Sequence, residues 1–87
     1  MGKRRKETDI RVRFGFAVKL RRETLNLTQE DLAERAGLHR TYLSDIERGA
    51  RNPSLVSLER LAIALKLSLA GMFALLHPVD DGEPRGT

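Results

Sequence analysis

Positions 39–52 gather most of the side chains in this sequence that could do chemistry. His39, Arg40, Thr41, Tyr42, Ser44, Asp45 and Arg48 fall within one short stretch, and Arg51 and Asn52 follow it. These are hydrogen-bonding groups of both signs. The guanidinium forks suit a carboxylate, a phosphate or another planar acceptor pair. They do not compose a reaction centre. There is no cysteine, and neither His39 nor His77 has a second ligand at metal spacing or a nucleophile beside it in sequence. No phosphate-cradling glycine loop is present either. The expectation is recognition rather than catalysis: no enzyme activity, no metal and no cofactor.

Charge points to the kind of partner. The 87 residues carry a formal net charge of +4, and its placement is uneven. Lys3, Arg4, Arg5, Lys6, Arg11, Arg13, Lys19, Arg21 and Arg22 crowd the first quarter against Glu7 and Asp9, while Asp80, Asp81 and Glu83 sit near the other end. A basic end on a small domain suggests a polyanion, nucleic acid first, although a solubilising tail has the same composition. The length suits one domain. With 40% hydrophobic and 5% aromatic residues, the core must be built mainly of Leu, Ile, Val and Ala. No run is long and apolar enough for a bilayer span, and the basic start lacks the apolar run of a signal peptide. The absence of cysteine fits a reducing compartment. The expectation is a cytoplasmic protein with no membrane partner.

The elements that must position the polar cluster can be read from periodicity and caps. Residues 1–7 and 77–87 are charged or rich in Gly, Pro and Asp, and are expected to be disordered around one domain at 8–76. Within it a first helix is predicted over 9–24, capped by Thr8 or Asp9, with Ile10, Phe14, Ala17, Val18 and Leu25 as its core stripe and Asn26 as a left-handed stop. Thr28 caps a helix over 29–36, with Asp31 as the box partner and Leu32, Ala33 and Ala36 facing inward. Gly37 turns the chain, and a third helix runs over 40–48 with Leu43 and Ile46 inward, ended by Gly49. Ser54 caps a fourth, 55–65, whose inner face is Leu55, Leu58, Leu61, Ala62 and Leu65. Ser68 caps a fifth, 69–76. No segment alternates like a strand. The fold class expected is all-α, with five helices.

The second and third helices are too short to stand alone. They make sense as a tight helix-turn-helix across Gly37-Leu38-His39, with Ala33 kept small where the third helix crosses. Arg40, Thr41, Ser44, Asp45 and Arg48 then form one polar face, of the kind that enters a major groove. In this stretch Gln29, Ala33, Gly37 and Leu43 fall at the spacing of a known pattern. Ile46-Glu47-Arg48-Gly49, Arg51-Asn52-Pro53-Ser54 and Leu58-Glu59-Arg60-Leu61-Ala62 complete it. The sequence resembles the Xre/Cro family of phage-repressor-like helix-turn-helix proteins over about residues 14–73. The run GLHRTYLSDIERGARNPSL is particularly similar to controller proteins of restriction–modification systems.

The resemblance implies a lambda-repressor-like fold and binding of double-stranded DNA, and the residue chemistry can be set against that. Gln29 would bond a phosphate at a helix N-terminus. Arg40 would read a guanine edge bidentately. Thr41 and Ser44 would touch bases, a thymine methyl or phosphates. Asp45 would accept from a cytosine amine or orient Arg40 or Arg48. His39, Tyr42 and Arg48 are candidate phosphate contacts, with plain packing the other role open to Tyr42 and solvent exposure that open to His39. Arg51 and Asn52, ahead of the fourth helix, are implied to contact the backbone. Arg22 and Glu47 are implied to form a partly buried ion pair.

Partners follow in the same way. One recognition helix reads too few base pairs, so a homodimer on a pseudo-palindromic operator is expected, its half-sites about 34 Å apart. The resemblance places the dimer on the fifth helix, where Gly71 would permit close approach. Val12, Phe16 and Leu20 form a second apolar line on the first helix, covered either by Leu75 and Leu76 or by a second subunit. The basic Lys3-Arg4-Arg5-Lys6 could act as a minor-groove or phosphate arm. A repressor or controller acting at a promoter also admits RNA polymerase as a partner. The alternative reading is an antitoxin-type subunit that binds DNA and a protein.

Overall fold

The structure, a computed structural model, describes residues 9–76. The two ends expected to be disordered, with the Lys3–Lys6 arm and His77, lie outside the described residues. Five helices follow one another: α1 (Ile10–Thr24), α2 (Gln29–Ala36), α3 (Arg40–Glu47), α4 (Leu55–Ala64) and α5 (Leu69–Ala74). No strand occurs among the described residues. The fold is all-α, as the sequence implies.

Caps set where each helix starts. The Asp9 carboxylate accepts from the Arg11 backbone N–H at 2.8 Å, so Asp9 stands just outside α1. Thr28 and Asp31 form a full capping box at α2, each side chain bonded to the other's backbone N–H at 3.0 Å. Ser54 and Ser68 cap α4 and α5 through the Ser57 and Gly71 N–H groups. The stops are equally specific. Asn26, Gly37, Gly49 and Lys66 all have φ between 59° and 75°. After each of them the next residue's N–H reaches back to the helix: Leu27 to Arg22, Leu38 to Ala33, Ala50 to Asp45 and Leu67 to Ala62. Lys66 is the departure. A lysine takes the left-handed position at some steric cost, with no Gly or Asn to signal it. Arg48, Leu65 and Leu75 serve as C-caps, so the last three helices end one or two residues short of their expected termini.

α1 packs on α3, α2 packs on α3 and α4, and α4 packs on α5. Val18, Leu32, Leu43, Ile46, Leu61, Leu65 and Met72 are fully buried at the centre. Each contributes on the order of 1.5–3 kcal/mol through burial. That is what holds the eight-residue α2 and α3, which would not persist alone. The crossing of α1 over α3 depends on Gly15: a Cβ there would lie 2.2 Å from the Ile46 carbonyl oxygen and 2.8 Å from that of Glu47.

Some core expectations are corrected. Ile10 and Leu55, placed on inner faces by periodicity, are 51% and 72% exposed. Both are first residues of their helices, where the stripe has not yet come over the core. Met72, not singled out, is fully buried. The line on α1 is not covered by the end of α5: Phe16 and Leu20 are half-exposed, as is Leu75, while Leu76 packs against the core and Val12 lies against Gly49. Gly71 lies in α5 beside its own chain. A Cβ there would meet Ser68 and Leu67 of the same chain at 3.3–3.7 Å.

Candidate nucleic-acid interface

α3 turns Leu43 and Ile46 into the core and leaves Arg40, Thr41 and Arg48 exposed, with Ser44 and Asp45 partly so. Positions 40, 41, 44, 45 and 48 are one or two turns apart, so their side chains share a face. The structure therefore brings the proposed readers together on the outer side of a helix whose inner side is clamped.

Within that face the side chains divide into two groups. Arg48 donates one terminal nitrogen to Ser44 Oγ at 3.0 Å and the other to Asp45 Oδ1. Arg51, from the loop after α3, donates its Nε to Asp45 Oδ2 at 3.5 Å and lies over the Tyr42 ring, 5.0 Å from its centroid. Both arginine side chains are more than half-exposed, while the Asp45 side chain is 21% exposed. Asp45 thus pairs with Arg48 and Arg51, and not with Arg40. Arg40 and Thr41 carry no side-chain hydrogen bond or ion pair among the described residues. Their donors are available to a ligand without any internal bond being broken. His39 stands at the N-cap of α3, exposed, with no side-chain capping bond. Asn52 is exposed beside Pro53, just ahead of α4.

Behind this face lies a second network. Arg22 of α1 meets Glu47 at the end of α3 through two bonds, Nε to Oε2 at 2.7 Å and a terminal nitrogen to Oε1 at 3.0 Å. The other terminal nitrogen donates to the Leu27 carbonyl at 2.8 Å. The two side chains are only 11% and 4% exposed. Hydrogen bonding to Glu47 raises the Arg22 pKa, with burial opposing it, so the guanidinium stays charged. Gln29 joins the network: its Nε2 donates to Glu47 Oε1 at 3.0 Å. An amide nitrogen has a second hydrogen. Gln29 is thereby fixed at the first turn of α2, where backbone N–H groups and the helix dipole favour an anion.

Three features escaped the sequence. Gly15 lies within α1 with no turn around it, so nothing local marks the close approach to α3. Arg21 donates its Nε to the Leu65 carbonyl at 3.0 Å and so satisfies the C-terminus of α4. Tyr42 and Arg51 stack across two elements, which no helical periodicity predicts. Among the described residues no group of three His, Asp or Glu side chains could hold a metal ion, and no helix is long and apolar enough to cross a membrane.

A helix-turn-helix family profile matches residues 18–72. Control protein C.MunI from a Mycoplasma species is 46% identical over 67 residues, covering 76% of this chain and 90% of that protein. The structure of the restriction–modification controller protein C.AhdI from Aeromonas hydrophila is also similar. It has a TM-score of 0.72 and 41% identity, and the match covers 74% of this chain and 97% of that one. SinR, the master regulator for biofilm formation, was solved in complex with DNA; it has a TM-score of 0.65 and 34% identity, covering 69% of this chain and 97% of its own. With α2 and α3 forming the two-helix unit inside the matched region, this chain belongs to the Xre-like helix-turn-helix family.

Proposed function

We propose that the protein is a sequence-specific, double-stranded-DNA-binding transcription regulator that acts as a homodimer on a pseudo-palindromic operator in the cytoplasm. The observation that carries this is the division of the α3 face, where Arg40 and Thr41 stand exposed and uncommitted on a rigidly held helix. In the major groove Arg40 reads a guanine edge, and Thr41 and Ser44 lie beside it. Phosphates on one side meet Gln29 and the start of α2. On the other they meet Arg48, Arg51, Asn52 and the start of α4, with His39 and Tyr42 at the margin.

Two copies follow from the number of base pairs one helix can read. The exposed apolar side chains of the last two helices, Val56, Ile63, Phe73 and Leu75, are available to join them. Repression or activation then depends on where the operator lies relative to a promoter and to bound RNA polymerase. The antitoxin alternative has no support from the relatives described above. Selection of bound duplexes from a random pool tests the reading. A two-fold-symmetric consensus is expected. Salt-sensitive binding with no enriched sequence would overturn it.

A further inference from the structure

A carboxylate in the middle of a face that meets a polyanion needs a reason. Asp45 sits there, bracketed by two cations, and it is the acceptor that both of them use. Resting on the DNA-reading function above, we propose that Asp45 determines specificity without reading a base, by holding Arg48 and Arg51 at fixed positions and away from phosphates that lie elsewhere.

The geometry supplies the mechanism. Arg48 is held at two points, Ser44 and Asp45. Arg51 is held by Asp45 through Nε, and its plane is set by the Tyr42 ring. A guanidinium has five N–H donors, so each arginine keeps donors in reserve; for Arg51 these are both terminal nitrogens. When Arg40 is seated on its base, the register of the helix is fixed. The two held guanidiniums can then meet phosphates while still paired to Asp45. In any other register the phosphates lie elsewhere. Either arginine must leave Asp45 to reach one, and the carboxylate is left facing the duplex unpaired. Wrong sites are therefore penalised more than the right one, which is how repulsion produces discrimination. Arg40, being unpaired, carries no such penalty.

The experiment uses the full chain, the duplex enriched from the random pool and a scrambled duplex, titrated over a range of salt concentrations. Asp45→Asn keeps the shape and removes the charge. Its affinity for the scrambled duplex is expected to rise about three- to tenfold, the gain from releasing two exposed pairs. Its salt slope should steepen by about one as a further cation meets phosphate. Affinity for the enriched duplex should change by less than the affinity for the scrambled one, so discrimination falls evenly over the site. In a background with Arg48→Gln and Arg51→Gln, Asp45→Asn should no longer raise scrambled-duplex binding. A variant with unaltered discrimination overturns the proposal. So does a loss confined to a single base pair, which would make Asp45 a direct reader, or a rise that persists without the two arginines. A wild-type protein that enriches no duplex removes the function itself, and does so before any variant is measured.

Discussion

At the scale of single residues, the side chains of the exposed face differ in what each is already bonded to. Arg40 is free of partners among the described residues, whereas Arg51 is paired and stacked. Their truncations should fail differently. Arg40→Ala is expected to lose about 1–3 kcal/mol of discrimination at one base-pair position of each half-site and to leave the salt slope nearly unchanged. Arg51→Ala should weaken binding to the enriched duplex and to its single-base-pair substitutions about equally, and reduce the slope by about one. Titration of both variants against single-base-pair substitutions of the enriched duplex, at several salt concentrations, distinguishes the two. If both truncations relax the same base position, the division of labour is wrong.

At the scale of the element, α2 and α3 are short enough for their ends to decide their stability. The Asp31 carboxylate at the head of α2 is held below its ordinary pKa of 3.8, first by its hydrogen bond from the Thr28 backbone N–H and then by the Thr28 side chain. A carboxylate depressed in the folded state stabilises fully above its unfolded pKa, and the contribution is lost as pH falls through the folded value. The melting temperature should therefore decline below about pH 4 more steeply in wild type than in Asp31→Asn, and the two proteins should differ most near neutrality. Parallel melting curves from pH 2 to 7 would show that ionisation of Asp31 contributes nothing. The other end of the pair is set by a close approach. Gly15→Ala raises helix propensity by about 1 kcal/mol. It also drives a methyl into the Ile46 carbonyl oxygen, so a net loss of about 1–3 kcal/mol is expected in a denaturant titration. A stabilised variant would mean that α1 can move off α3 without cost.

At the scale of the whole molecule, one buried network ties three helices to the interface. Arg22, Glu47 and Gln29 come from α1, α3 and α2, and Glu47 accepts from both of the others. Glu47→Ala leaves a nearly buried guanidinium without its counter-ion and should cost about 3 kcal/mol or more. For a domain of this size that lowers the melting temperature by about 12 °C or more. Base preference, measured below the variant's own transition, should survive, because Glu47 stands behind the reading face. An unchanged melt would show that the pair is idle, and an altered preference would place Glu47 in the interface.

Much of this was legible in the sequence because its signals are local. Thr28, Ser54 and Ser68 precede helices that need caps, Asn26, Gly37 and Gly49 supply left-handed stops, and the period of Leu32, Leu43, Ile46 and Leu61 marks inward faces. The polar face of α3 follows from spacing alone, since a helix puts positions 40, 41, 44, 45 and 48 on one side whatever it packs against. Local rules failed at first turns, where Ile10 and Leu55 point out, and at Lys66, whose stop is imposed by α5 docking back onto α4. The sequence by itself determined the helices, the turn between α2 and α3, and the chemical inventory of the face. Only the tertiary structure decided which of those side chains are already engaged. Asp45 pairing with Arg48 and Arg51, Tyr42 beneath Arg51, Gln29 on Glu47, and Gly15 under the Ile46 carbonyl join residues through space. Such contacts depend on how elements cross and on the path of the loop after α3, which no periodicity encodes.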